Sequence, residues 1–525
     1  MREVLLKISD LSVTSNKENE TTTILNNIDL TIHKNETVGL IGETGCGKSM
    51  LGWALMDLLP DGCVLSGGNI TYDTTPIYEM TSLRGSRVTM IFQEPMQSLN
   101  PTQTIGKQMT TIVEKRGLNI ETSTKAYVKK WLARVQLDSV FDIGSRYPHQ
   151  LSGGQMQRVM IALAMSMRPK FIIADEITTG LDANIKLEMM DLLFSLQDEL
   201  GVAVLLISHD LATIRRYCDR VAVMRSGEVL VEGRTDEVFL HQKDKYIRTF
   251  IDGQERSNRK IKTDNTEDRD HAILSIRGLH KSYGDNKSRQ SVVNNVSMNL
   301  YRGKTLGLIG ESGSGKSTIA RMILNILERD SGKMKLSIDG STTKNLTSPN
   351  KKIGAVLQDS TGSLNPKMNI QNILSEPLEL VGVSNERKIR SKINKMIKSV
   401  GLNEDLLTRY PYSLSGGQRQ RVSLARAMMI DPRIIILDEP TSALDVKVQK
   451  NILELLKSLQ KQKNLSYLFI SHDLPVISEI ADDVAVLYGG EIVEVGTVEK
   501  ILNNPEQDYT KKLIKASTWT GPLNA

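Results

Sequence analysis

The chain has 525 residues, 67 Lys and Arg against 61 Asp and Glu, a net charge of +6, and only 4% aromatic residues. That length holds two α/β domains of ~150–250 residues. The small, mixed-sign charge and the scarcity of aromatics argue against a nucleic-acid groove, so no nucleic-acid partner is expected. The longest apolar runs, 202–207 and 467–470, are strand-length, far below the ~18 residues of a bilayer span.

Arg2, Glu3, Lys7 and Asp10 interrupt the start of the chain before a leader's apolar region could form. Cys46, Cys63 and Cys218 lie far apart without metal-type spacing, which suits a reducing compartment. A cytoplasmic protein is the expectation.

In chain order, the apolar run 38–41 predicts a strand and 51–59 a helix. Between them stand Gly42, Glu43, Thr44, Gly45, Cys46, Gly47, Lys48 and Ser49, followed by Met50. This is the phosphate-cradling pattern G-x-x-x-x-G-K-[ST]. Glycine lets the backbone approach phosphate oxygens and point successive N–H groups at them, and the following helix adds its positive end. Lys48 would neutralise phosphate charge and the Ser49 hydroxyl would ligate Mg²⁺. Cys46 reads first as a small packing residue, with a reactive thiol beside the phosphate amides as the second reading.

Next come Gln93 and the text Gln-Glu-Pro-Met-Gln-Ser-Leu-Asn-Pro, then Leu151-Ser152-Gly153-Gly154-Gln155 opening a predicted helix over 159–167. A small-residue turn at a helix start is a second anion-reading device. The predicted strand 171–174 ends in Asp175-Glu176, one carboxylate placed for Mg²⁺ and its neighbour for polarising water. The predicted strand 202–207 delivers Ser208-His209-Asp210. Residues 252–271 are dominated by charge and show no apolar periodicity, so they read as a linker between domains at 1–251 and 272–525.

The second domain repeats the first. Gly310, Glu311, Ser312, Gly313, Ser314, Gly315, Lys316, Ser317 and Thr318 form a second phosphate loop, between a predicted strand 306–309 and helix 319–327. Lys316 follows Lys48 by 268 positions and Gln358 follows Gln93 by 265, while Ser415, Glu439 and His472 each follow Ser152, Glu176 and His209 by 263. Gly416, Gly417, Gln418 and Asp438 complete the copy. Such near-constant offsets mean a duplicated domain and not a short structural repeat. Ile389, Ile393, Ile397 and Val400 fall on one helical face and read as the core of a helical lobe.

Phosphate loop, Leu-Ser-Gly-Gly-Gln, Asp-Glu and Ser-His-Asp in this order, twice, resemble a tandem ATP-binding cassette protein, over nearly the whole chain. The resemblance implies an α/β fold of two P-loop NTPase domains, each with a RecA-like core, an antiparallel β subdomain and a helical subdomain. It implies ATP and Mg²⁺ as cofactors, with Ser49, Gln93, Asp175, Ser317, Gln358 and Asp438 around the metal and Glu176, Glu439, His209 and His472 as catalytic groups. Asp182 and Asp445 match the family's D-loop. It further implies two composite sites formed head-to-tail, Lys48 facing Ser415 to Gln418 and Lys316 facing Ser152 to Gln155.

The Ser-Leu-Asn-Pro text after each glutamine, the tail pattern Asn504-Pro505 and Tyr509-Thr510, and its degraded echo over 241–246 are similar to oligopeptide, dipeptide and nickel importer ATPases. That implies two integral-membrane permeases and, through them, an extracytoplasmic substrate-binding protein as partners, with the chain on the cytoplasmic face of the membrane. Permease contacts are expected near Gln93-Glu94 and Gln358-Asp359. The other reading is a soluble tandem cassette acting on ribosomes, against which stand the short linker and the Ser-Leu-Asn-Pro text. Two departures bear on the first domain: Ser15 stands where the second domain has Tyr283, the ring expected to stack on adenine, and its D-loop text lacks proline. Both glutamates and both histidines are present, so both sites are expected to hydrolyse ATP.

Overall fold

The computed structural model describes residues 3–17, 20–43, 45–73, 75–76, 83–117, 122–137, 142–178, 181, 183–241, 247, 272–284, 290–338, 341–343, 346, 350–358, 362–441, 444 and 446–517. Thr44, Asp182, Asp359, Asp445, the linker and the echo at 242–246 lie outside them. The chain forms two compact units, built mainly from residues 1–253 and 254–518.

In the first unit, the short apolar segments predicted as strands are buried on both faces of one sheet, which is why they read as continuous rather than alternating runs. Its order is Glu228–Arg234, Arg220–Arg225, Thr37–Gly42, Ala203–Ile207, Phe171–Asp175, Val88–Ile91. All neighbours pair in parallel except the outer hairpin of the first two. Thr37–Gly42, which leads into the phosphate loop, therefore sits inside the sheet, with the carboxylate-bearing strand Phe171–Asp175 one strand away. The second unit repeats this order with Glu491–Thr497, Asp483–Tyr488, Thr305–Ile309, Ser466–Ser471, Ile434–Asp438 and Ile353–Val356.

A second, four-stranded sheet covers the phosphate-loop helix in each unit. In the first it runs Glu20–His33, Val4–Lys17, Cys63–Tyr72, Thr75–Pro76, and in the second Gln290–Tyr301, Ala272–Tyr283, Ser331–Ile338, Ser341–Thr342. Leu6, Ile8, Leu25 and Ile28 pack with Leu51 and Leu55 of the helix in one buried cluster. The registers match across the duplication: Leu11 pairs Ile28 and Ser15 pairs Thr22, as Leu279 pairs Val296 and Tyr283 pairs Gln290.

Between each glutamine and the Leu-Ser-Gly-Gly-Gln turn lies a helical lobe, with Ile105–Lys115 and Thr124–Arg134 in the first unit and Ile370–Leu380 and Glu386–Ser399 in the second. Ile393, Ile397 and Val400 are buried there and Ile389 packs against them, so the predicted stripe is lobe core. Among the described residues no helix is long and apolar enough to cross a membrane.

Helix ends differ from the sequence expectation for local reasons. The helices after the phosphate loops are Lys48–Leu55 and Lys316–Ile323, stopping short of 59 and 327. Asp57 and Asn325 just beyond adopt the left-handed conformation, φ 51° and 53°, that ends a helix. The helices Gly153–Ser166 and Gly416–Met428 start well before 159 and 422 because Ser152 and Ser415 cap them.

Candidate active sites

Each phosphate loop wraps its own lysine. The Lys48 ammonium, in a residue 6% exposed, donates to the carbonyls of Gly42 at 2.9 Å and Glu43 at 3.0 Å, and that of Lys316, 5% exposed, to Gly310 and Glu311, both at 2.7 Å. Gly47 and Gly315 hold φ 105° and 108° just before their helices. A Cβ there would lie 2.6 Å from Leu25 Cδ2 in one and from the Val292 carbonyl in the other, so the position requires glycine on two counts. Gly45, Ser312 and Gly313 are exposed at the loop tips, and Met50 and Thr318 are half-buried on the following helices.

Asp175 and Asp438, buried at strand ends, each accept a hydrogen bond from the serine after the lysine: Ser49 Oγ to Asp175 Oδ1 and Ser317 Oγ to Asp438 Oδ1, both 3.2 Å. Burial is the main cause that pushes the Asp175 carboxyl up to about 6, with the Glu176 charge adding and Ser49 and Lys48 opposing. Asp438 shifts upward for the same leading reason. Hydroxyl and carboxylate oxygens are the hard donors Mg²⁺ takes together with phosphates and water, and a cation would relieve the cost of that burial. These two pairs therefore fit Mg²⁺. Among the described residues no group of three or more His, Cys, Asp or Glu gathers that could hold a metal ion.

The adjacent glutamates carry the most telling geometry. Glu176 and Glu439 have φ 45° and 47°, a conformation a non-glycine residue rarely takes, and their N–H groups bond the carbonyls of Ile207 and Ile470 on the next strand. Strain of this kind persists where the surroundings over-determine it. The glutamine donates to one carboxylate oxygen, Gln93 Nε2 to Glu176 Oε2 at 2.9 Å and Gln358 Nε2 to Glu439 Oε2 at 3.1 Å. The histidine faces the other, His209 Nδ1 at 3.4 Å from Glu176 Oε1 and His472 Nδ1 at 3.1 Å from Glu439 Oε1. Three residues spread over 117 positions in one copy and 115 in the other thus meet at one carboxylate, twice. Burial would raise the Glu439 carboxyl, but His472, the Lys316 charge and Gln358 outweigh it and hold it below its ordinary value. The histidine is held more closely in the second constellation, where the His472 side chain is 23% exposed against 48% for His209.

The Leu-Ser-Gly-Gly-Gln turns are helix starts with reciprocal caps. Ser152 Oγ accepts from Gln155 N–H at 3.3 Å while Gln155 Oε1 accepts from Ser152 N–H at 3.0 Å, and Ser415 with Gln418 repeats both distances. The cap occupies the Gln155 and Gln418 amides. Helix geometry gives the N–H groups of Gly153, Gly154, Gly416 and Gly417 no intrahelical acceptor, leaving them able to bind an anion.

A sequence profile of the ABC transporter family matches residues 25–179 and 293–442, more than half of the chain. The chain belongs to the ABC transporter family. Its two units are ABC ATPase cassettes, ATP-binding and coupled to transport. The chain is similar to the peptidoglycan transport ATP-binding protein YejF of Agrobacterium fabrum, 36% identical over 98% of this chain and 96% of that protein. It is also similar to the glutathione import ATP-binding protein GsiA of Salmonella choleraesuis, 34% identical over 98% of this chain and 89% of that one. Among solved structures, the dimeric bacterial ABC transporter cassette MJ0796 is 28% identical over 43% of this chain and 99% of its own, with a TM-score of 0.39.

Several features of these cassettes were not legible in the sequence. Asp210, after the first histidine, pairs with Lys186 and accepts from Thr213 Oγ1 at 2.6 Å and Ala212 N–H at 3.0 Å. At the corresponding positions the second cassette has Gln449, Val476 and Pro475, so two of those three donors are missing by residue type. Comparison of the two copies would have revealed this. The reactive-thiol reading of Cys46 is corrected: the residue is 6% exposed in the core, and burial raises its thiol pKa. Its counterpart Ser314 is equally enclosed, and the Ser314 hydroxyl has no hydrogen-bond partner among the described residues. Tyr283 stands at the end of its strand, 44% exposed with the Lys281 ammonium 5.8 Å from its ring centroid, and Ser15 occupies the identical register position.

Proposed function

We propose that this chain is the energy-coupling ATPase of an importer for short peptides or peptide-bearing small molecules. It would work at the cytoplasmic face of a membrane, beneath two permeases supplied by an extracytoplasmic binding protein. The observation that carries the reading is the full-length likeness to ATP-binding proteins whose names specify peptidoglycan transport and glutathione import, since peptides are common to both cargoes. The domain limits 1–251 and 272–525 with a linker at 252–271, and the head-to-tail pairing that the resemblance implies, belong to this proposal.

In each site the phosphate-loop amides and Lys48 or Lys316 bind the triphosphate. Ser49 with Asp175, and Ser317 with Asp438, would hold Mg²⁺, which neutralises phosphate charge when bound. Glu176 and Glu439 orient and deprotonate the attacking water, positioned by Gln93 and Gln358, while His209 and His472 hold the second carboxylate oxygen and face the γ-phosphate. Side chains fixed beforehand in this way lower the reorganisation needed in the transition state.

The test is reconstitution of the purified chain with its cognate permeases and binding protein, followed by uptake of labelled di- to hexapeptides. Peptide uptake that requires ATP and is lost in Glu176→Gln/Glu439→Gln supports the reading. ATP hydrolysis that none of these peptides stimulates, with no uptake, refutes the assigned cargo.

A further inference from the structure

The tail residues Asn504-Pro505 and Tyr509-Thr510 have no part in the cycle above, yet they end at the second phosphate loop. Helix Val498–Asn503 turns into helix Asp508–Ser517, and that strap is fastened at three points. Glu494, 7% exposed, accepts the backbone N–H groups of Glu506 at 2.9 Å and Gln507 at 3.1 Å. The Tyr509 ring lies 4.2 Å from that of Tyr488, and Leu513 is buried in the cassette core. The fastenings deliver the Tyr509 hydroxyl to the Glu311 N–H, which it accepts at 3.1 Å.

Glu311 N–H and Gly310 C=O belong to one peptide group, and that carbonyl accepts the Lys316 ammonium at 2.7 Å. One peptide plane of the loop is thus bonded at both ends, by the tail tyrosine and by the phosphate-binding lysine. Bonds in such a chain polarise and strengthen one another. The first cassette has Arg225 where Tyr488 stands and Val231 where Glu494 stands, while Tyr246, at the position of Tyr509, lies outside the described residues.

We propose that Tyr509 is a positioning residue for the second ATP site, holding the Gly310–Glu311 peptide in place while Lys316 exchanges loop carbonyls for phosphate oxygens, so that the tail tunes nucleotide affinity at that site alone. The proposal rests on the assignment of Lys316 to phosphate. One hydrogen bond is worth about 0.5–1.5 kcal/mol net, so its loss weakens binding by about twofold to tenfold.

The experiment uses the full chain and a fluorescent ATP analogue with Mg²⁺, in two backgrounds: Lys48→Ala, which leaves the second site, and Lys316→Ala, which leaves the first. Tyr509→Phe keeps the ring stack and removes only the hydroxyl. It is expected to raise Kd by about twofold to tenfold in the Lys48→Ala background and to leave it unchanged in the Lys316→Ala background. Glu494→Gln, which loosens the strap without touching the loop, shifts the same Kd in the same direction. An unchanged Kd at the second site overturns the proposal, and so does an equal rise at both sites, the mark of general damage to the fold. A chain that binds no nucleotide before Tyr509 is altered overturns the assignment of Lys316, and the proposal with it.

Discussion

Replacing Glu439 by glutamine tests the site geometry with little disturbance to the fold. The side chain keeps its length, the oxygen facing Gln358 can still accept the hydrogen bond now made at 3.1 Å, and the new amide can donate to His472 Nδ1, now 3.1 Å away. Stability should therefore change by less than about 1 kcal/mol. Turnover should not survive as well, because the amide cannot take a proton from water. Loss of a general base costs about 10²–10⁴-fold, equivalent to about 3–5 kcal/mol of barrier. Glu176 has the same strained backbone and the same two neighbours, so Glu176→Gln should remove activity to a similar extent. Phosphate release at saturating MgATP, with permeases present, is the assay. The two single variants are expected to agree within about threefold and the double variant to fall by about 10²–10⁴. Full turnover in Glu439→Gln beside none in Glu176→Gln would refute the assignment of equal hydrolytic roles.

Asp210→Asn should destabilise the first cassette. Although burial opposes it, the Lys186 ammonium leads the interactions that hold this carboxyl down at about 2, which corresponds to about 2 kcal/mol of stability. Because the folded pKa is depressed below 3.8, that contribution is complete above the ordinary carboxylate range and shrinks as pH falls from about 4 towards 2. Urea titrations of both proteins between pH 6 and 3 should show the gap narrowing, and a constant gap would count against the pairing. Ser15→Tyr should tighten ATP analogue binding in the Lys316→Ala background by about threefold to tenfold, the worth of an aromatic stack. No gain there would remove adenine stacking from the account of that strand position. Cys46 should react with a maleimide far more slowly than half-buried Cys63, with or without MgATP, as followed by mass spectrometry of the native chain. Rapid native labelling at Cys46 would contradict its burial.

What the sequence determined by itself was local and periodic. Apolar runs entering glycine-rich turns, serine caps opening helices and carboxylates closing strands are encoded within some ten residues of one another, so the phosphate loops, the Leu-Ser-Gly-Gly-Gln turns and the central strands were legible before any coordinates. The duplication made them unambiguous, since each copy served as a control on the other. The helix stops at Asp57 and Asn325 were missed because a left-handed residue other than glycine leaves almost no trace in composition.

Tertiary structure alone decided which distant groups meet. Gln93, Glu176 and His209 converge because parallel pairing sets the strands Val88–Ile91, Phe171–Asp175 and Ala203–Ile207 side by side and brings their C-terminal ends together, although long connections separate them in the chain. The same holds for Tyr509, whose hydroxyl reaches an amide 198 positions earlier because a buried carboxylate and a stacked ring fix the strap that carries it. Long-range contacts of this kind depend on where the chain is packed, which local chemistry biases but does not specify.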